Sequence, residues 1–411
     1  MKKILVVLDG ASDLPVKVFG GKTPLESAET PNLDFFAKQG QMGFMYPIDE
    51  NTVPGSDNSL LSLFGNDPKS CKRGIYEAVG LGFNLKRGDI AFRCNLGTIK
   101  NLKDKIVIDR RAARTLSTKE AKILEKDLNK KIKLHCDFEF KSAVQHRGVL
   151  ILRGGFSDNI TNTDPEWSPV KPNKFKFSQP LDEDENSKYT ANILNDFLFQ
   201  AHKILRNHPI NLKRMRKGLL PANFIFTRGG CSEKPKLKQY RTWMSINPMP
   251  LEIGISELSG MKTFSFTYPE LKGIDAYKNL YDGLNKSILF AIKTLKKQHK
   301  HYSGCYIQLK ETDIPGHDNK PYEKKNMLEI IDKKFFGYLK KFMQGKDIKL
   351  VVTCDHSTPC KMKMHSAHPV PVLVYGGEQD KTEKFSEEES KKGELGKMYG
   401  KKFIEKTGLN H

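Results

Sequence analysis

Residues 348–377 read IKLVVTCDHSTPCKMKMHSAHPVPVLVYGG. The stretch opens on an apolar run with the length of a strand buried on both faces, and it closes on another. Between them stand Asp355, His356 and His365. An Asp-His pair where a strand stops can be a simple Asx turn. Adjacent residues there point to opposite faces, so both serve one site only if the chain is turning. His365, just before the apolar pattern resumes, favours a metal site, because zinc and manganese accept mixed imidazole and carboxylate ligands.

Runs of the same kind recur outward from this stretch, in ILVVLDG (4–10), VLILRGG (149–155), NFIFTRGG (223–230) and CYIQLKETD (305–313). Helical periodicity fills the intervals, as in TPNLDFFAKQG, TKEAKILEKDLN, SKYTANILNDFLFQAHKIL, YKNLYDGLNKSILFAIKTLKKQ and EKKNMLEIIDKKFFGYLKKFMQ. Strands alternating with helices predict an α/β fold with a mainly parallel sheet flanked by helices. Asp9 ends one run, Asp313 another, and Asp355 with His356 a third; open α/β sheets bind ligands just beyond such carboxyl ends. The D-x-x-x-H spacing of Asp313 and His317 places both on one face if a helix starts there. Ser56, in NTVPGSDNSLL, follows a Pro-Gly turn at the head of a helix-like run. It reads either as an N-cap or as a hydroxyl beside backbone N–H groups that can hold a phosphate.

A chain of 411 residues exceeds one small core and predicts a large α/β unit with a second domain attached or inserted. The Pro-rich, polar segment 165–190 reads as a surface crossing. It closes an inserted smaller domain at 78–185 and leaves 1–77 with 186–411 as the core. No run approaches the ~20 apolar residues of a bilayer span, and the apolar part of MKKILVVLDG is too short for a secretory segment. A cytoplasmic enzyme without a membrane partner is expected. Seven cysteines with no Cys-x-x-Cys pair argue against a disulfide framework or a structural zinc site. The net charge of +21 raises nucleic acid as a partner. Yet the lysines are dispersed among acids, as in KTLKKQHKH and ESKKGELGKMYGKK, and no RNP-like or zinc-finger motif occurs. A basic enzyme with an anionic substrate is the better reading, and nucleic acid the weaker one.

The order of these motifs resembles the alkaline phosphatase superfamily. More closely, it resembles the archaeal-type cofactor-independent (2,3-bisphosphoglycerate-independent) phosphoglycerate mutases. The matching stretches run nearly end to end: KTPLESAETPNLD (22–34), PGSDNSLLSLFGNDP (54–68), RGIYEAVGLGFNLKRGDIAFRCNLGTI (73–99), DRRAAR (109–114), HRGVLILRGG (146–155), TDP (163–165), PANFIFTRGG (221–230), KETDIPGHD (310–318) and DHSTPCKMKMHSAHPVPVLVYGG (355–377). The resemblance implies an alkaline phosphatase-like core interrupted by a substrate-binding domain. It also implies interconversion of 3-phosphoglycerate and 2-phosphoglycerate through a phosphoserine intermediate, with no bisphosphoglycerate required.

Carried over residue by residue, Ser56 is the nucleophile. One divalent metal (manganese, magnesium, cobalt or zinc) is held by Asp313, His317 and His365, and a second by Asp9, Ser56, Asp355 and His356. His365 is chosen over His368 because the family's ligand sits four positions before the first proline of PVP. A phosphorylated glycerate needs forked donors, for which Arg73, Arg93, Arg110, Arg111, Arg147 and Arg228 are candidates, and Asn95 is a further substrate contact. The sequence departs from the pattern at Ile253, where the family has lysine, at Glu166 and at Leu60. Lys310 or Lys238 could supply the missing cation. These departures keep open an alternative, a metal-dependent phosphomonoesterase or phosphotransferase acting on another small phosphorylated metabolite.

Overall fold

The computed structural model describes residues 2–69, 73–165, 173–271 and 275–410; Cys71 and Glu166 lie outside them. Its strands are, in chain order, β1 Lys3–Leu8, β2 Gly40–Tyr46, β3 Ile90–Ile99, β4 Val107–Asp109, β5 Asp137–Ser142, β6 Arg147–Arg153, β7 Phe224–Cys231, β8 Trp243–Ile246, β9 Lys262–Phe264, β10 Gly304–Leu309, β11 Lys349–Thr353, β12 Val370–Tyr375 and β13 Gly396–Tyr399. They form two sheets. The larger has the order β13-β2-β12-β11-β1-β10-β8-β9. β1 runs parallel to both β10 and β11, while β12 is antiparallel to β11 and to β2.

The apolar sequence KILVVL is buried at every position after Lys3, as a strand covered on both faces requires. Helices such as Ala276–Gln298 and Pro321–Ile331 supply that cover with residues of the same hydrophobic core. The described helices include none long and apolar enough to cross a membrane.

The smaller sheet is antiparallel, with β3 at its centre between β6 and β7 and β5 beyond β6. Its core is separate from that of the larger sheet and runs from Ile90 to Phe226. The far end of this unit is therefore better drawn after Cys231 than at 185. The helix Glu185–Leu205 buries Leu194, Phe197 and Leu198 in the second core, and β7 pairs along β3. A polar segment before a helix does not reveal which core the helix joins. The segment 165–190 also ends differently from its reading as a crossing, since a helix capped by the Asp184 carboxylate already begins at Glu185.

Two strand ends differ from the sequence expectation. β10 stops at Leu309, and Asp313 opens a short helix, Asp313–His317. β11 stops at Thr353, before Asp355 and His356. In both places the polar residue lies on the turn after the strand. That turn lets neighbouring side chains converge instead of alternating across the sheet.

Candidate active site

The carboxyl ends of β1, β10 and β11, three adjacent parallel strands, meet the helix Ser56–Leu63. That helix starts where it does because Gly55 takes an extended N-cap conformation and donates its N–H to the Asn58 side chain at 2.7 Å. Ser56 is thereby the first helical residue, at the end where backbone N–H groups lack intrahelical partners. Its Oγ lies 3.2 Å from His356 Nε2. The Ser59 hydroxyl donates to the Asp355 carbonyl and ties the helix to the loop after β11.

The imidazoles share a common orientation. His317 Nδ1 meets the Lys363 carbonyl at 3.0 Å, and His365 Nδ1 meets the Pro54 carbonyl at 2.8 Å. His356 Nδ1 lies 3.0 Å from Thr358 Oγ1, whose own proton goes to Asp313 Oδ1 at 2.8 Å. Each outer nitrogen thus faces an acceptor and carries the proton, which leaves the Nε2 lone pairs directed into the site. His317 Nε2 is 3.4 Å from Asp313 Oδ2 and His365 Nε2 is 3.6 Å from Asp313 Oδ1. The His356 and His365 rings stack 3.7 Å apart. His368 instead turns to its neighbour Ser366.

Two groups of donor atoms lie close enough to hold an ion each: Asp313, His317 and His365, and Asp9, Asp313 and His356. Asp313 belongs to both. Asp355 is buried, but its Oδ1 accepts the backbone N–H groups of Gly10 and His356, and its Oδ2 accepts from Gln308. The Asp9 carboxylate takes Gln308 at 2.6 Å and the Lys310 ammonium on Oδ2. Its buried Oδ1 has no hydrogen-bond partner among the described residues and faces His356 Nε2 at 3.8 Å. An orphaned buried oxygen beside an inward lone pair is a costly arrangement for a protein alone, and a divalent cation between them satisfies both. The residues fit a metal centre.

Charge in the pocket follows from burial and crowding. Burial and the neighbouring Asp355 push the Asp9 carboxyl well above its usual range. Burial opposes the charge on Lys310, but Asp9 and Glu252, the latter 2.9 Å away, outweigh it and hold the ammonium protonated. Gly10 has no room for a side chain: a Cβ there would sit 2.6 Å from Thr358 Oγ1 and 2.7 Å from Asp313 Oδ1.

The buried pair Lys324–Asp13, both 0% exposed, fixes the loops that carry these groups. Lys324 Nζ donates to Asp13 Oδ2 at 2.8 Å, to the Ser12 carbonyl at 3.1 Å and to the Thr358 carbonyl at 2.9 Å. Lys324→Met leaves Asp13 buried without its counter-charge. It is expected to destabilise the fold by roughly 3–5 kcal/mol, read as a lower urea midpoint; an unchanged midpoint would show that the pair holds nothing in place.

Beside the donor groups lies a pocket of ≈ 170 Å³, walled by both units. Ser56, Asp313, His317 and His365 line one side, and Arg73, Arg93, Arg111, Arg147 and Arg228 are among the residues of the remaining wall. Asn95 and Arg110 do not line it. Arg110 is taken up by Asp164 in a bidentate pair at 2.6 Å, and Asn95 reaches the same carboxylate at 3.5 Å. Sequence reasoning missed Arg114, which enters the pocket while pairing with Asp318 at 2.8 Å, and His146, whose buried Nδ1 has no hydrogen-bond partner among the described residues. Both stand inside motifs already quoted, DRRAAR and HRGVLILRGG, so the signal was present but undivided among neighbours.

The departures from the family pattern separate by place. Leu60 is core. Ile253 is partly exposed in the helix Pro250–Leu258, next to the pocket residue Glu252. Lys310 lines the pocket, whereas Lys238 lies by Gly65 and does not.

Arg111 is crowded by its own kind. Burial, with Arg114, Arg147 and Arg110 nearby, brings its guanidinium down to about 9. Arg111→Met is expected to raise KM for an anionic substrate about 10–100-fold, the worth of one charge-assisted contact. Relief of the repulsion should leave the melting temperature equal or higher. A loss of stability with unchanged KM would assign Arg111 a structural role.

Comparison with known proteins follows this geometry. The family described as 2,3-bisphosphoglycerate-independent phosphoglycerate mutase matches residues 37–211. Proteins of that name from Thermococcus kodakarensis and Pyrococcus abyssi are 38% and 39% identical to this chain; each alignment covers 97% of the chain and 94% or 95% of the relative. Among solved structures, a Pyrococcus horikoshii protein is similar with a TM-score of 0.76 at 27% identity, over 100% of this chain and 98% of that one. The cofactor-independent phosphoglycerate mutase from Thermoplasma acidophilum follows with a TM-score of 0.57 at 26% identity, over 98% of both chains.

Proposed function

Since the chain belongs to the 2,3-bisphosphoglycerate-independent phosphoglycerate mutase family, we propose that its arginine-lined pocket interconverts 3-phosphoglycerate and 2-phosphoglycerate through a phosphoserine on Ser56. The observation that carries this reading is the setting of the Ser56 hydroxyl, 3.2 Å from His356 Nε2 at a helix start and open to a pocket walled by guanidinium groups. Asp313, His317 and His365 would hold one divalent metal. Asp9 and His356, with Asp313 shared and Asp355 and Ser56 adjacent, would hold the other. Such ions supply positive charge to phosphoryl oxygens and lower the pKa of a hydroxyl bound to them. Manganese, magnesium, cobalt and zinc all suit mixed oxygen and nitrogen donors.

The chain's own groups do the positioning. The phosphoryl group leaves the 3-oxygen as a bond forms to Ser56 Oγ, the serine proton passing to the departing oxygen to make the free 3-hydroxyl, and backbone N–H groups at the helix start help hold the phosphoryl oxygens. Guanidinium groups from the smaller unit keep the freed glycerate by its carboxylate while it turns. The phosphoryl group then passes to the 2-hydroxyl and Ser56 is restored. Lys310 lines the pocket against Asp9 and Glu252 and adds a cation on the side where Ile253 brings none.

Incubation of the protein with 3-phosphoglycerate and a divalent metal, without bisphosphoglycerate, should yield 2-phosphoglycerate and little free phosphate. Release of inorganic phosphate as the sole product would move the assignment to a phosphomonoesterase.

A further inference from the structure

A second concentration of positive charge lies away from the catalytic pocket. Residues Leu350 of β11 and Tyr375 of β12 pair at the end of the larger sheet opposite Asp355 and His365. Beside Tyr375 opens a groove of ≈ 1200 Å³. Lys333, Lys334, Lys340, Lys341 and Lys346 line it, and Asp347 is the only acid among the lining residues. All five lysines are exposed. Among the described residues none of them has a carboxylate within 4.0 Å. Elsewhere on the surface Lys188, Lys391, Lys392, Lys397 and Lys402 each pair with a glutamate.

The backbone gathers these charges. Lys333 and Lys334 ride on a π-helical turn, Asp332–Phe336, set between the helices Pro321–Ile331 and Gly337–Met343. Such turns are rare and frequently mark functional sites. The next helix carries Lys340 and Lys341, and the loop before β11 carries Lys346. Partly exposed rings of Phe35, Tyr338 and Tyr375 also line the groove. Lys340 Nζ sits 3.8 Å above Phe35.

Lys334 Nζ donates to Asn285 Oδ1 at 2.6 Å and Lys346 Nζ to the Phe342 carbonyl, but ammonium groups gathered along one groove still repel one another, and an anion that touches several at once relieves that repulsion. Lysine binds phosphate as a compact point charge. A monophosphate reaches one or two of these groups, whereas a polyphosphate chain spans more. Flat rings on the groove wall offer a stacking surface to a base, as in nucleic-acid-binding grooves. We propose that this groove binds a nucleoside polyphosphate, with phosphates on the lysines and base against the aromatic wall, separately from the catalytic pocket.

The test is titration calorimetry of the full chain with ATP and with inorganic tripolyphosphate, 3-phosphoglycerate being present in excess to fill the catalytic pocket. Saturable ATP binding is expected. Lys340→Glu with Lys341→Glu should weaken it about tenfold or more, as loss of charge-assisted contacts requires. Lys391→Glu with Lys392→Glu, the same change of charge elsewhere, should shift it less than about threefold. Lys333→Glu with Lys334→Glu should repeat the first result if the first variant folds poorly. Tyr338→Leu should weaken ATP but not tripolyphosphate, and turnover of 3-phosphoglycerate should stay unchanged in all of these variants. Equal weakening in the groove and control pairs would reduce the effect to general attraction and overturn the proposal, as would absence of saturable binding. Tripolyphosphate binding as tightly as ATP, with no effect of Tyr338→Leu, would overturn the assignment to a nucleoside.

Discussion

Ser56→Ala is expected to lower kcat by about four to six orders of magnitude, the range seen when a covalent nucleophile is removed from an otherwise intact site. The Ser56 hydroxyl stands at the start of its helix, against His356 and facing the pocket. Among the described residues no other serine or threonine lines that pocket. The substitution removes one oxygen and keeps the helix, because Gly55 and Asn58 form the cap without it. Thermal stability should change little. Incubation with 3-phosphoglycerate and acid quenching should trap phosphate on the wild-type protein and none on the variant. Turnover that survives the substitution would remove Ser56 from the mechanism and leave direct transfer to water as the alternative.

Asp313→Asn is expected to cost activity nearly as much, about three orders of magnitude or more, by lowering metal occupancy as well as local charge. The reason is the sharing of one carboxylate. One oxygen faces His317, and the other faces His365 and the Thr358 hydroxyl. The same residue belongs to both groups of donor atoms. Burial opposes the charge on Asp313, but His317 and His365 outweigh it and draw the carboxyl well below its usual range. Asparagine keeps the shape and removes that charge. Metal analysis after gel filtration should show less bound ion than in wild type. A chelator should lower the melting temperature of wild type, since an ion bound only to the folded state stabilises it by about 2.7 kcal/mol at a hundred times its Kd. The same chelator should move the variant little. Full metal content with lost activity would separate charge from binding and place Asp313 outside the coordination.

Much of this architecture can be read from local sequence. Runs such as ILVVL and IKLVV have no polar residue to offer solvent apart from Lys349 in the second, so they become strands covered on both sides. The spacing of Asp313 and His317 already sets them on one helical face. The Pro54-Gly55 turn fixes where the Ser56 helix begins. Each signal depends on residues within about five positions of one another, the range over which helix and turn geometry act.

Partnership across the chain is another matter. Arg110 and Arg111 are adjacent, yet one is consumed by Asp164 and the other enters the pocket. Nothing in DRRAAR separates them, because the deciding carboxylate is 54 residues away from Arg110. Arg114 is selected by Asp318, 204 residues distant. The helix Glu185–Leu205 has an apolar face that suits either core, and its packing within the smaller unit, with Phe197 against Phe138 and Phe140 of β5, assigns it there.

The sequence around 348–377 alone determined two strands and, between them, the set Asp355, His356 and His365. Residue type and short spacing dictate those features. Tertiary structure decided that β12 returns antiparallel to β11, which brings His365 back over His356 at 3.7 Å. It decided as well that Asp313 stands between two sets of donors and that Lys324 locks the loops around them. Those relations join residues far apart in the chain, and they exist only once the cores have formed and fixed the distances between strand ends.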